Sequence, residues 1–364
     1  MKILALDIGA GTTDILLYDS AKTIENCVKL VLPSASPVQA ARVAAVTAQG
    51  KDIFVEGFTI GGGSFSRALQ RHLQAGFQVY MTELAAYTVR NSLEDVAARG
   101  IRIVEAPPAD FNGVTLLADE LDLEPLRALL ESTGENLDSL DAAAAAVQDH
   151  GTYPPGASNR KTRLAHMRAA LETNPTPLSL AYYQVEIPLQ FPRMRSAALR
   201  LGEQLGPDKV LVMDTSPAAI YGCFADPRVE THAAGNVLLI NAGNGHTMAS
   251  LLSGGRVVAL FEHHTKYLDP PVFQDYMRLF ADGEAKDSDA YMDSGHGLFY
   301  LAEPPGMEAV QLIAATGPNR GLLERTSLDV YYPTPGGDMM MTGPMGLVRA
   351  VTGRAGVKPE PSPA

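Results

Sequence analysis

Leu4-Ala5-Leu6-Asp7-Ile8-Gly9-Ala10-Gly11-Thr12-Thr13-Asp14-Ile15-Leu16-Leu17-Tyr18-Asp19 reads as an apolar strand, a glycine-containing turn with hydroxyls, and a second apolar strand. The layout recurs in the other half of the chain as Val237-Leu238-Leu239-Ile240-Asn241-Ala242-Gly243-Asn244-Gly245-His246-Thr247-Met248-Ala249-Ser250-Leu251-Leu252. Glycines in such a turn let backbone N–H groups approach and converge on an anion. A plain tight hairpin would also use Gly and Asn, for their positive φ. The two segments share more than a hairpin needs: an Asp or Asn closing the first strand, two glycines two residues apart, and a following Thr. The doubling points to a phosphate held between two lobes.

At 364 residues the chain exceeds the usual single-core limit, so two lobes with a cleft are expected. Its 29 basic residues against 41 acidic ones argue against a protein that holds nucleic acid by neutralising phosphates. An anionic ligand would then be held by backbone dipoles, a few basic groups or a metal. The two cysteines, Cys27 and Cys223, supply neither a disulfide framework nor a cysteine metal cluster. No apolar run reaches bilayer length and the start carries no leader pattern, so a cytoplasmic protein is expected.

Along the chain, residues 51–60 read as a strand running into Gly61-Gly62-Gly63-Ser64, with a helix over 65–75. Ser92 begins another helix, and Gly100 stops it before a strand at 101–105. A leucine face marks a helix at 121–130. The run Asp141 to Gly151 sets propensity against topology: its five alanines favour helix, but its shortness and place between helices favour a buried parallel strand, which is the reading adopted. A polar loop at 153–163 feeds a helix at 162–172, a further helix covers 193–205, and a strand covers 209–214. Ser216 reads as the N-cap of the next helix, with Pro217 at its first position. The first lobe, with inserted helices and a loop, is placed at 1–228, the second at 229–336, a C-terminal helix at 337–353, and a disordered tail at 354–364.

These segments resemble the actin, sugar-kinase and heat-shock-chaperone ATPase superfamily, in which two ribonuclease-H-like lobes close on a nucleotide. Asp7 to Thr12 fits that superfamily's first phosphate hairpin, whereas Asn241 stands where the second usually has Asp. Asp214 to Gly222 is similar to its interdomain helix, residues 316–321 to its adenosine loop, and residues 339–351 to its second interdomain helix, with Pro344 implying a late start or a kink. More narrowly, Ile60-Gly61-Gly62-Gly63, Val147-Gln148-Asp149-His150-Gly151 with Ser158-Asn159-Arg160, Gly243-Asn244-Gly245-His246-Thr247, Glu262-His263-His264-Thr265 and Gly317-Pro318-Asn319-Arg320 resemble a prokaryotic family labelled as a pyruvate formate-lyase activating protein. Two cysteines cannot hold the three-thiolate iron–sulfur cluster of an ordinary radical S-adenosylmethionine activase. The resemblance instead implies an ATP-driven activator or reactivase.

It implies an α/β fold of two ribonuclease-H-like lobes, with ATP and Mg²⁺ in the cleft. Gly9, Gly11, Thr12 and Thr13 would bind phosphates from one lobe and Asn241, Gly243, Asn244, Gly245 and Thr247 from the other. Gly317, Asn319 and Arg320 would meet the nucleoside. Asp7 would hold Mg²⁺ mainly through water. Asp149, at a strand end, either orients a nucleophile or caps its own turn. Arg160, Lys161 or Arg320 could supply positive charge. His150, Asn159, Arg160, His246, His263, His264 and His296 read as a substrate or partner pocket in preference to a metal site, since adjacent His263 and His264 face opposite sides of a strand. The leading reading is a slow ATPase acting on a partner enzyme. A small-molecule kinase and a nucleotide-dependent scaffold stand as alternatives.

Overall fold

The computed structural model describes residues 1–153 and 159–356, the side chains of residues 159 and 160 excepted. The chain opens with an antiparallel meander of β1 (Lys2–Ile8), β2 (Thr12–Asp19) and β3 (Val28–Pro33). It then leaves for an inserted unit: α1 (Ala35–Ala48), β4 (Ile53–Gly57), α2 (Gly63–Gln74), β5 (Val79–Met81), α3 (Glu83–Ala86), α4 (Leu93–Ala97), β6 (Arg102–Ile103) and β7 (Val114–Ala118). Its four strands form a separate parallel sheet of order β6-β5-β4-β7 with its own core around Phe65, Leu69 and Val55.

After α5 (Glu124–Glu131) the chain returns with β8 (Ala142–Val147), parallel to β1, then α6 (Asn159–Thr173), β9 (Ala181–Tyr183), α7 (Pro192–Leu205) and β10 (Val210–Met213). Through α8 (Thr215–Cys223) and α9 (Pro227–Thr231) it crosses to a second sheet made of β11 (Asn236–Ala242), β12 (His246–Ser253), β13 (Arg256–His264), β14 (Gly295–Tyr300), β15 (Leu312–Thr316) and β16 (Val330–Tyr331). A helix, α10 (Pro270–Asp282), covers that sheet, and α11 (Thr342–Arg354) returns to the first lobe beside β1 and β8.

The two large sheets repeat one plan. In each, a three-stranded antiparallel meander is followed by two strands parallel to its first: β3-β2-β1-β8-β10 in one, β13-β12-β11-β15-β16 in the other. Edge strands β9 and β14 extend the two sheets. The alanines of β8 are strand, as the topology required. Ala143 to Val147 are fully buried between cores on both sheet faces, where small side chains make room for the covering helices, and this outweighs helix propensity.

Some expectations are corrected. Asp214, not Ser216, caps α8, its carboxylate accepting from the Ser216 N–H. The helix α11 begins at Thr342, the late start that Pro344 implied, with Pro344 in its first turn, where the missing N–H costs no bond. It runs to Arg354, so a tail cannot begin there; residues 357–364 lie outside the described residues. The strands expected at 51–60 and 101–105 are present as β4 and β6, and with β5 and β7 they give the inserted helices a sheet of their own.

Helices α8 and α11 cross at two glycines. A Cβ on Gly222 would lie 1.7 Å from the Thr342 carbonyl oxygen, and one on Gly346 1.8 Å from that of Ala218. The two helices meet backbone to backbone.

Candidate functional site: the interlobe cleft

The two glycine turns are the same structure. Gly9 N–H donates to Thr12 O at 2.8 Å, and Gly243 N–H to His246 O at 3.0 Å. Each turn is then tied to its neighbour: Ser34 N–H donates to Gly11 O and Thr265 N–H to Gly245 O, both at 3.1 Å. None of the four glycines has positive φ. They are small for another reason: a Cβ on Gly243 would sit 2.8 Å from His246 O, and one on Gly11 3.1 Å from the Asn244 side-chain nitrogen. The turns of the two lobes thus touch at Gly11 and Asn244.

They border a cleft of about 790 Å³, a volume that suits a nucleotide. Of the expected phosphate residues, Gly9, Thr12, Asn241, Gly243, Asn244 and Gly245 line it, and Gly11 lies in the turn between them. Thr13 and Thr247 do not line it. The Thr247 hydroxyl is buried 3.0 Å from that of Thr265, which donates to Gly243 O, so Thr247 braces the second turn. Gly317 lines the cleft, with φ of +93° and no room for a Cβ beside Ala242. Asn319 donates its side-chain N–H to Gly243 O and its backbone N–H to Ala242 O, locking this loop to the second turn. Arg320 lies outside the lining and contacts Gly317 O at 3.4 Å.

Asp7 and Asp14 stand directly opposite each other across β1 and β2. Each keeps one buried carboxylate oxygen without a partner. Burial, then the Asp14 and Asp214 charges, hold the Asp7 carboxyl well above its ordinary range, while Arg193 opposes them. Burial pushes Asp14 up to about 7. Two buried, unsatisfied oxygens on facing carboxylates fit a hydrated Mg²⁺ ion, so Asp7 and Asp14 are the residues that would hold one. Asp14 was overlooked although it closes the quoted turn; the pairing of β1 with β2 places it against Asp7. The helix α11 approaches so closely that a Cβ on Gly343 would lie 1.9 Å from Asp7 Oδ2.

Asp149 lines the cleft but is spoken for. Its Oδ1 accepts from Gly151 N–H at 2.9 Å, and its Oδ2 from the N–H groups of Arg193 and Met194 at 2.7 and 3.1 Å. The Gly151 bond is the cap of its own turn that one of the two sequence readings gave, and the other two bonds cap the N-terminus of α7, which neither reading foresaw. Burial still lifts its carboxyl to about 6. Arg193 forks onto Glu120 at 2.8 and 2.9 Å and donates to Gln148 O, placing a partly buried cation in the lining. Lys161 reaches out to Asp287 at 3.6 Å. The side chains of Asn159 and Arg160 lie outside the described residues.

Four histidines meet at one end of the cleft. Ring centroids of His246 lie 5.3 Å from His150, 4.8 Å from His264 and 4.5 Å from His296. His263 faces the other way, stacked on Tyr291 at 4.8 Å, as strand alternation required. Beneath the cluster, Arg163 is fully buried and bridges the lobes. Its guanidinium forks onto Asp214 at 2.9 and 2.6 Å and pairs with Glu262 of β13. No local pattern flagged Arg163, and Glu262 stood out only as part of a family-like segment with no role, because their pairing joins residues 99 apart in sequence.

Two sheets of one strand order facing each other across a cleft define the two-lobed, ribonuclease-H-like architecture of the actin-like ATPases. The chain belongs to the family described as "Putative pyruvate format-lyase activating enzyme (DUF1786)", which it matches over residues 60–322. Among solved structures it is similar to the ethanolamine utilization protein EutJ from Carboxydothermus hydrogenoformans, with 10% identity, a TM-score of 0.33 and coverage of 96% of this chain and 89% of that one. It is also similar to MreB 5 of Spiroplasma citri bound to AMPPNP, with 11% identity, a TM-score of 0.35 and coverage of 98% and 97%. A ROK family glucokinase from Streptomyces griseus in complex with glucose and AMPPNP gives 10%, 0.34, 96% and 98%. These scores are low, and the fold rests on the strand order. No curated protein matches the sequence. Among the described residues, no helix is long and apolar enough to cross a membrane.

Proposed function

We propose that the cleft binds ATP with Mg²⁺ and hydrolyses it slowly, and that closure of the two lobes drives the activation or reactivation of a partner enzyme. One observation carries this reading: two turns of identical hydrogen bonding, one from each lobe, meet at Gly11 and Asn244 beside the unsatisfied carboxylates of Asp7 and Asp14. Turn N–H groups from both sides would hold the phosphates, and Gly317 would let backbone pass the nucleoside. The magnesium ion, when bound, supplies positive charge to the triphosphate. The family description supplies the class of partner, an enzyme to be activated.

A second reading, transfer of the γ-phosphate to a small hydroxyl acceptor, is favoured by the inserted unit. It lines the far wall of the same cleft with Ser66, Arg67 and Arg90, groups suited to a polar or anionic acceptor. Thermal stabilisation by ATP with Mg²⁺, compared in the wild type, Asp7→Ala and Gly243→Val, tests the site. Equal stabilisation in all three removes it. Phosphate release from ATP alone supports the ATPase, release only with an added metabolite supports the kinase, and binding without turnover supports a scaffold.

A further inference from the structure

The histidine cluster is built differently from a polar pocket wall. A nitrogen from each of His150, His246 and His296 lies within 4.8 Å of the other two. His296 is 4% exposed, and neither of its ring nitrogens has a hydrogen-bond partner. His246 Nε2 is likewise buried without a partner, while its Nδ1 is held by the Gln148 side chain at 2.8 to 3.0 Å. Glu262, whose other oxygen is taken by Arg163, turns its free Oε2 toward His296 Nδ1 at 3.6 Å. A carboxylate or amide on one imidazole nitrogen fixes the ring so that the other points at a metal. Unpartnered buried ring nitrogens are otherwise a cost.

We propose that His150, His246 and His296 bind a divalent transition metal, of which Zn²⁺ best fits three imidazoles, at the junction of the two lobes. Neutral imidazole donors suit Zn²⁺ over Mg²⁺ or Ca²⁺. Burial first depresses the basicity of all three, Arg163 and the neighbouring rings add to it, and Glu262 opposes it at His296, the balance favouring the neutral form that ligates. Tetrahedral ligands about 2.0–2.1 Å from zinc stand about 3.3 Å apart, so modest ring rotations complete the site. His264, with its ring centroid 4.6 Å from that of His296, stands beside the remaining position. His150 follows the end of β8 in the first lobe, whereas His246 and His296 come from the second. The ion therefore staples the lobes at the base of the second glycine turn. The site stands independently of nucleotide binding.

The test uses the full chain, stripped with chelator and then titrated with ZnCl₂ or CoCl₂ alone. One retained Zn²⁺ per chain after desalting, and the strong visible absorption of four-coordinate Co²⁺, are expected. His150→Asn and His296→Asn should each weaken uptake at least tenfold, Glu262→Gln should weaken it about 10- to 100-fold as an outer partner, and His263→Gln should leave it unchanged. A wild type that retains neither ion overturns the proposal without reference to any variant. So does uptake unaltered by both ligand substitutions.

Discussion

Arg163→Met is the most demanding test of how the lobes are joined. Arg163, Asp214 and Glu262 are all at most 1% exposed, and one guanidinium serves two carboxylates from different lobes. Breaking a buried pair by removing one partner costs about 3–5 kcal/mol, because the survivor is left charged and dry. Here two carboxylates are left, so the upper end of that range is expected. At about 2.1 cal/mol/K of unfolding entropy per residue, a chain of 364 residues turns that loss into a drop of roughly 4–7 °C in melting temperature. Urea denaturation at pH 7.5 and 5.5 reads it directly, and the deficit should narrow at the lower pH, where protonation relieves the orphaned charges. Adding Glu262→Gln to Arg163→Met should recover part of the loss, as a double-mutant cycle records. A deficit below about 1 kcal/mol for Arg163→Met would show that the bridge is not what holds β13 to α8.

Other substitutions probe separate parts of the molecule. Gly346→Ala puts a methyl 1.8 Å from a carbonyl oxygen of α8, and should cost over about 3 kcal/mol in urea titrations; a neutral result would refute the close crossing. Asp149→Ala should remove about 1–2 kcal/mol through the lost cap of α7 while leaving ATP-dependent stabilisation in place; loss of nucleotide binding with full stability would return Asp149 to the chemistry. His72 is buried with its Nδ1 2.7 Å from Thr47 Oγ1, and burial depresses its basicity. Its neutral form is favoured by folding, so its contribution is complete above about pH 6.5 and declines by up to about 1.4 kcal/mol per unit below that. His72→Leu should flatten the acid limb of a melting-temperature profile, and an unchanged limb would remove His72 as its source.

How much of this was legible beforehand follows from the range of each interaction. The paired turns could be read because their chemistry is local: two glycines and a strand-closing carboxamide or carboxylate within six residues, twice. The alanine strand was recovered by putting context above propensity. What escaped was set by distant partners. The strand β14 was not foreseen, although it carries His296, because Gly295-His296-Gly297 gives no alternation to read. The cap at Asp149 depends on a helix 44 residues away. The opposition of His263 and His264 was visible from strand periodicity, but the meeting of His150 with His296 required the fold.

The crossing of α8 and α11 has a mechanical consequence. Helices that interlock through long side chains can slide by re-registering those side chains, whereas a contact between two backbones at Gly222 and Gly346 offers nothing to re-register. Under the lobe closure proposed above, such a joint would serve as a fulcrum, a nearly fixed point about which one lobe turns against the other. With Gly343, one turn of α11 away, pressed on Asp7, any rotation of that helix is felt first at the carboxylate, so the joint doubles as a lever whose short arm ends in the cleft.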